Sequence, residues 1–105
     1  MSISKLFAEK SVVFSFEIFP PKRDSSIDTI WNTLEQLEGL GPDFISVTYG
    51  AGGGGGKSYT AQIAGAIRRK YGILPLAHLT CVNSTREEIR QSLADLREEG
   101  VEDIL

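Results

Sequence analysis

The 105-residue chain is poor in the residues that build disulfide frameworks and metal sites. It contains one cysteine, Cys81, and one histidine, His78. A single cysteine excludes an internal disulfide framework and a zinc site built from cysteines, and a single histidine excludes a histidine-rich metal site. We therefore predict that the protein holds no metal. A lone thiol also fits a reducing compartment.

The chain also lacks the charge and the apolar runs of nucleic-acid-binding and membrane proteins. Its net charge of −3 leaves no basic face to release phosphate counterions, so nucleic acid is not predicted as a partner. No apolar run approaches the roughly 20 residues of a membrane helix. The segment from Met1 to Lys5 lacks the apolar core of a signal peptide. We expect one small cytoplasmic domain that contacts no membrane.

What the chain does contain is an alternation of strand and helix patterns. Strands are predicted where β-branched and aromatic residues cluster, at 11–21, 43–50, 73–82 and 101–105. Apolar residues at three- and four-residue steps predict helices at 27–40, 58–71 and 83–100, the last with Ile89, Leu93 and Leu96 inward. Such alternation predicts parallel strands with right-handed crossovers. Two α/β folds fit, a doubly wound sheet and the first half of a (β/α)8 barrel.

The faces of the strands favour the barrel. With a period of two, small or polar side chains share one face near the end of each of the first three strands: Ser15 with Glu17, Ser46 with Thr48, and His78 with Thr80. In a barrel, inward residues at the strand tops converge on one mouth, where active sites lie. A doubly wound sheet gives no reason for three successive strands to share this feature. We therefore predict the first half of a (β/α)8 TIM-type barrel.

Glu17 is the first candidate for chemistry. It lies between Phe16 and Ile18, and burial among such side chains disfavours the charged form of a carboxyl, which suits a general acid. The alternative is a glutamate at a strand end that is solvated or paired with Lys22 or Arg23. From the spacing alone the two interpretations are equally supported.

The other candidates are weaker when each is taken alone. A lone histidine in an apolar strand, such as His78, is more often a hydrogen-bonded core residue than a ligand. Thr48 and Tyr49 end the second strand, but threonine and tyrosine simply favour strands. Cys81 would need a nearby base to act as a nucleophile, and its apolar strand-end setting favours an inert thiol.

The glycine-rich run after the second strand offers an alternative function. Residues Ala51 to Ser58, A-G-G-G-G-G-K-S, approach the phosphate-loop pattern G-x-x-x-x-G-K-[ST], with alanine in place of the first glycine. A strand precedes the run and a helix follows it, as nucleotide binding requires. However, a glycine run produces this pattern easily. No later strand ends in an aspartate placed to hold Mg²⁺, since only two residues follow Asp103.

Three separate stretches together resemble one known family. They are F-S-F-E-I-F-P-P-K, D-F-I-S-V-T-Y-G-A-G-G and P-L-A-H-L-T-C-V-N-S-T-R-E-E-I. In order and approximate spacing they resemble the N-terminal third of methylenetetrahydrofolate reductases. The resemblance implies a flavin-binding (β/α)8 barrel in which NADH or NADPH reduces FAD. The reduced flavin then converts 5,10-methylenetetrahydrofolate to 5-methyltetrahydrofolate.

The resemblance also implies roles for individual residues. Glu17 would be the acid that protonates the folate as its five-membered ring opens to the iminium that accepts hydride. Thr48 would lie beside the flavin and the nicotinamide, and Tyr49, Ala51 and His78 match positions that contact FAD. After T-Y-G-A-G-G the chain departs from the family pattern, because the stretch leading to Thr60 is about one residue longer.

The chain stops at Leu105, before the Arg-Gly-Asp stretch that follows in the family. We therefore expect residues 1–105 to be the N-terminal part of one barrel domain, cut within the fourth strand. A half-barrel leaves its first and fourth strands as open edges. This predicts association into a homo-oligomer. We also predict that the isolated 105-residue chain has no folate reductase activity, or only a trace. A non-catalytic fragment is therefore a third alternative function.

Overall fold

The computed structural model describes residues 2–21, 26–49, 59–82 and 84–105. The elements in order are α1 Ile3–Glu9, β1 Ser15–Ile18, α2 Asp28–Glu38, β2 Phe44–Val47, α3 Thr60–Tyr71, β3 Leu74–Ala77, α4 Arg86–Glu98 and β4 Asp103–Ile104. The predicted alternation is confirmed, although each strand is shorter than predicted. Within these ranges, no helix combines the length and apolar character needed to cross a membrane.

The order of the strands distinguishes the two predicted folds. The sheet runs β1-β2-β3-β4, and every neighbouring pair is parallel. A doubly wound sheet reverses its strand order at the point where the chain changes direction. Here each strand pairs with the next one along the chain, without a reversal. This α/β arrangement is that of the first half of a TIM-type barrel, as predicted.

The main core lies between one face of the sheet and the helices α2, α3 and α4. Residues of all three helices and of the sheet form one buried cluster: Ile18, Ile30, Leu34, Ile45, Val47, Ile63, Ala64, Ile67, Tyr71, Ala77, Leu96 and Val101. The three helices therefore cover the same face, as successive right-handed crossovers require. The alternate side chains of each strand point to the opposite face of the sheet.

One predicted core position is wrong. Leu93 was predicted to point inward with Leu96, but it is 42% exposed while Leu96 is buried. The helix α4 packs on α3, and among the described elements no other helix packs on the flank that carries Leu93. The three- and four-residue spacing identifies an apolar stripe, but it does not show how many neighbouring helices cover that stripe.

The helix α1 was not predicted. It spans seven residues, and its buried side chains Ile3 and Leu6 pack on Phe44 of β2. So short an apolar pattern carries little periodic signal. The backbone N–H of Ile3 donates to Asp103 Oδ1 at 3.3 Å, which ties the start of α1 to β4. Thus α1 covers the amino-terminal part of the face that α2, α3 and α4 leave open.

Asp43 joins the end of α1 to the starts of β1 and β2. Its carboxylate accepts hydrogen bonds from Lys10 Nζ and, at 2.9 Å, from the backbone N–H of Phe14. Its own N–H donates to the carbonyl of Phe14 at 2.7 Å. The bond from Lys10, and then that from Phe14, lowers the pKa of Asp43 below its ordinary value, because both stabilise the charged carboxylate.

This lowered pKa gives the first prediction. A carboxyl whose pKa is lower in the folded than in the unfolded state stabilises the fold above the unfolded-state pKa of about 3.9, and this stabilisation is lost as the pH falls through the folded-state pKa. We expect Asp43→Asn to lower the free energy of unfolding at neutral pH and to weaken its fall below about pH 4. Urea denaturation at several pH values measures both effects.

The matched control is Glu9→Gln, which removes an exposed carboxylate from the same end of α1. Its stability should follow the pH dependence of the unsubstituted protein. An Asp43→Asn variant with the same acid-induced loss as the Glu9→Gln variant would contradict the assignment.

Candidate active site

The register of the sheet builds one row of side chains across the face opposite α2, α3 and α4. Glu17 is the partner of Ser46, Ser46 of Leu76, and Leu76 of Asp103. Their chain neighbours Ile18, Val47 and Ala77 belong to the helix-facing core. Because side chains alternate along a strand, the row of Glu17 faces away from the helices.

A second row follows toward the carboxyl ends of the strands. The ladder of backbone hydrogen bonds continues there: Thr48 N–H donates to the Ile18 carbonyl at 3.1 Å, and His78 N–H donates to the Val47 carbonyl at 2.9 Å. Thr48 and His78 stand two residues beyond Ser46 and Leu76, so they lie on the same face as Glu17. The sheet thus brings Glu17, Thr48 and His78 to one face at the carboxyl end.

The side chains of Glu17, Ser46 and His78 converge on one atom. Ser46 Oγ donates a hydrogen bond to Glu17 Oε1 at 3.3 Å, and His78 Nε2 lies 3.4 Å from the same oxygen. The side chain of His78 is 23% exposed and that of Glu17 is 48% exposed. A carboxyl, a hydroxyl and an imidazole from three adjacent strands therefore form one polar cluster. In it the hydroxyl and the imidazole can orient the carboxyl group of Glu17, which can pass a proton to a ligand.

Of the two interpretations of Glu17, burial among apolar side chains does not hold, because the side chain is 48% exposed. Ile18 faces the helices and Phe16 packs against the same helix-facing core, so neither covers the carboxyl group. Phe19 lies two residues after Glu17 and so shares its face of the sheet, but the ring of Phe19 is itself exposed. The alternative partners Lys22 and Arg23 lie outside the described residues.

Ser46 lies on the predicted face of the sheet, but its position in the sequence indicated no role for it. The period of two shows which residues share a face along one strand. It does not show which residue of the next strand is opposite, because that depends on the register. The parallel pairing of Ser15 with Phe44 sets Glu17 beside Ser46, and this pairing is visible only in the structure.

Thr60, the first residue of α3, holds the end of β2. Its hydroxyl donates to the carbonyl of Thr48 at 2.9 Å, and the residue is buried. This hydrogen bond therefore connects β2 to the start of α3 at the carboxyl end of the sheet. This bond fixes the backbone of Thr48, one of the predicted cofactor-binding residues.

The remaining predicted site residues have different outcomes. Tyr49 is partly buried and directly follows Thr48. Ala51, and with it the whole phosphate-loop segment to Ser58, lies outside the described residues. Cys81 is exposed, so its predicted apolar setting is wrong. Among the residues that the structure describes, no three of His, Cys, Asp or Glu come close enough together to hold a metal ion.

Comparison with known proteins adds an independent observation. The family model of methylenetetrahydrofolate reductase matches residues 2–105. The 5,10-methylenetetrahydrofolate reductase of Escherichia coli (strain K12) is 37% identical over 91 residues, which are 87% of this chain and 30% of the relative. That of Pectobacterium carotovorum subsp. carotovorum has the same identity over the same shares of both chains.

A plant relative matches over almost the whole chain. The probable methylenetetrahydrofolate reductase (NADH) of Oryza sativa subsp. japonica is 32% identical over 103 residues, which are 98% of this chain and 17% of the relative. The chain thus spans less than a third of the length of these relatives. Since the family model matches nearly every residue of it, the chain belongs to the methylenetetrahydrofolate reductase family.

Proposed function

We propose that this chain supplies the acid for the reduction of 5,10-methylenetetrahydrofolate to 5-methyltetrahydrofolate, with FAD as cofactor and NADH or NADPH as electron donor. The observation that carries the proposal is the cluster of Glu17, Ser46 and His78 on the open face of the sheet. It lies at the carboxyl end of parallel strands, where barrel enzymes place their active sites. Membership of the family supports the substrate and the reaction.

The residues of this face fit a flavin. Thr48 offers a hydroxyl and His78 an imidazole, and both are partly buried at the carboxyl end of the sheet. Such groups can bond to the polar edge of an isoalloxazine ring. On the same face, nearer the amino-terminal ends of the strands, Phe44, Leu74 and Leu76 form an apolar cluster with α1. In the proposal Thr48, Tyr49 and His78 hold the ring, with Ala51 as a further contact.

When bound, FAD supplies the hydride chemistry between the nicotinamide and the folate. The chain itself supplies the proton. As the five-membered ring of the folate opens, the carbon–nitrogen bond breaks and the released nitrogen takes a proton from Glu17. The folate is left as the iminium that accepts hydride, and Glu17 is left as a carboxylate. Because its side chain is half exposed, Glu17 can take up a new proton from water.

Flavin spectroscopy tests this proposal. Residues 1–105 continued into a complete barrel are purified and mixed with FAD, because the isolated chain is predicted to have at most trace activity. The absorbance is followed as NADH or NADPH and then 5,10-methylenetetrahydrofolate are added. We expect a yellow complex that is bleached by the nicotinamide and regains its colour with the folate. Protein that takes up no FAD, or a reduced flavin that the folate does not reoxidise, would contradict the proposal. Binding of Mg-ATP that is lost in Lys57→Ala would favour the phosphate loop instead.

The oligomeric state belongs to the same proposal. β1 and β4 are the outer strands of the described sheet, and Ile104 and Leu105 at the β4 edge are exposed. Open apolar edges support association between copies of the chain. Analytical ultracentrifugation would measure this association. The cytoplasmic location stays a prediction.

A further inference from the structure

We propose that Ser46 is a positioning residue for Glu17, holding the carboxyl group so that its second oxygen, Oε2, carries the proton given to the substrate. This inference rests on the proposed function for the identity of the substrate. It rests on the structure alone for the contact between the two side chains.

The backbone sets Ser46 beside Glu17. The two residues are register partners on adjacent parallel strands, so their side chains leave the sheet on the same face at the same height. Ser46 is only 7% exposed, and its register partner on the other side is Leu76, which offers no polar group. The hydroxyl is therefore shielded from water and directed to the carboxyl group, where Ser46 Oγ bonds Glu17 Oε1 at 3.3 Å.

The choice of oxygen follows from the same contacts. Ser46 Oγ and His78 Nε2 both approach Oε1. Within the described residues, no contact of this kind is made by Oε2. A protonated carboxyl carries its hydrogen on one oxygen and accepts hydrogen bonds best at the other. The Ser46 hydroxyl that donates to Oε1 thus favours a proton on Oε2. The side chain of Glu17 is 48% exposed, which allows a ligand to approach it.

The contact can be tested by carbon NMR of the protein labelled at glutamate carboxyl carbons. The Glu17 signal is assigned by its loss in Glu17→Gln. We expect Ser46→Ala to displace that signal at neutral pH, because the carboxylate loses a hydrogen-bond donor. Ser46→Thr, which keeps the hydroxyl, should restore it. Ser15→Ala is the matched control, since Ser15 carries an exposed hydroxyl on the same strand and face as Glu17.

The role is tested by the two half-reactions. We expect Ser46→Ala to slow the oxidation of reduced flavin by folate about ten-fold, the effect of losing one hydrogen bond to a charged group. Reduction of the flavin by nicotinamide should be unchanged, and Ser46→Thr should recover the folate step. A merely structural role would slow both steps together and would not separate them. If Ser46→Ala fails to fold, Ser46→Cys gives a side chain of similar shape that offers only a weak donor.

The outcomes separate the two proposals. An unmoved Glu17 signal in a folded Ser46→Ala variant overturns the inference, whether or not the protein reduces folate. Equal slowing of both half-reactions also overturns it. A displaced signal in a protein that never reoxidises its flavin with folate supports the contact and overturns the proposed function.

Discussion

Replacement of Glu17 by glutamine is expected to slow folate reduction by roughly 10²- to 10⁴-fold while leaving flavin reduction by the nicotinamide unchanged. Glutamine keeps the size of the side chain and can still accept a hydrogen bond from Ser46, but it cannot give up a proton as an acid. The nicotinamide step transfers a hydride and requires no proton from this group. Stopped-flow measurement of flavin absorbance separates the two steps in one sample.

Two further variants sharpen this test. Glu17→Asp keeps the acid but withdraws it by one methylene, so its folate step should be slower than that of the unsubstituted protein and faster than that of Glu17→Gln. Glu38→Gln removes an exposed carboxylate at the end of α2 and should leave both rates unchanged. Equal loss of both steps in Glu17→Gln would rule out a specific acid role and indicate damage to the flavin site.

The second large effect is expected in the core. Ile45 lies in the middle of β2, has no exposed surface, and is paired with Phe16 on β1 and Pro75 on β3. Its side chain belongs to the cluster that also contains residues of α2, α3 and α4. Ile45→Ala should lower the free energy of unfolding by about 2–5 kcal/mol, through lost apolar burial and the cavity left behind. Small domains have only about 5–15 kcal/mol in total.

Urea denaturation followed by circular dichroism measures this loss. Ile45→Val should cost about 0.5–1.5 kcal/mol, and it keeps the prediction testable if the alanine variant does not fold. Leu40→Ala is the matched control, because Leu40 follows the end of α2 and is 62% exposed. Similar losses for Leu40→Ala and Ile45→Ala would contradict the position of the core between the helices and the sheet.

Much of the fold could be predicted because it depends on local patterns. Strands and helices alternate clearly, and the period of two correctly placed Glu17, Thr48 and His78 on one face. The edges of the core and the helix α1 could not be predicted, because they depend on contacts with neighbouring elements. Leu93 has the spacing of a core residue, yet no helix in the described part of the chain covers it. The helix α1 is too short to be predicted from its own pattern, and it is recognised by the packing of its apolar side chains on Phe44.

The candidate site shows the same division. The carboxyl, the hydroxyl and the imidazole could be named from the sequence, and the resemblance implied their roles. The contact of Ser46 with Glu17 depends on the register between two strands that are 29 residues apart in the chain, which no local pattern specifies. The exposure of Glu17 likewise depends on the directions of Phe16 and Ile18, which point away from it as strand alternation requires.

Titration of the isotope-labelled protein with FAD, followed by amide NMR, measures where the flavin binds. We expect the backbone signals of Glu17, Thr48 and His78 to move together, while those of exposed residues on the outer side of α2 and α4 do not. Shifts confined to the helix side, or a flavin-bound protein in which the signals of Glu17, Thr48 and His78 stay fixed, would contradict a cofactor site on the open face of the sheet.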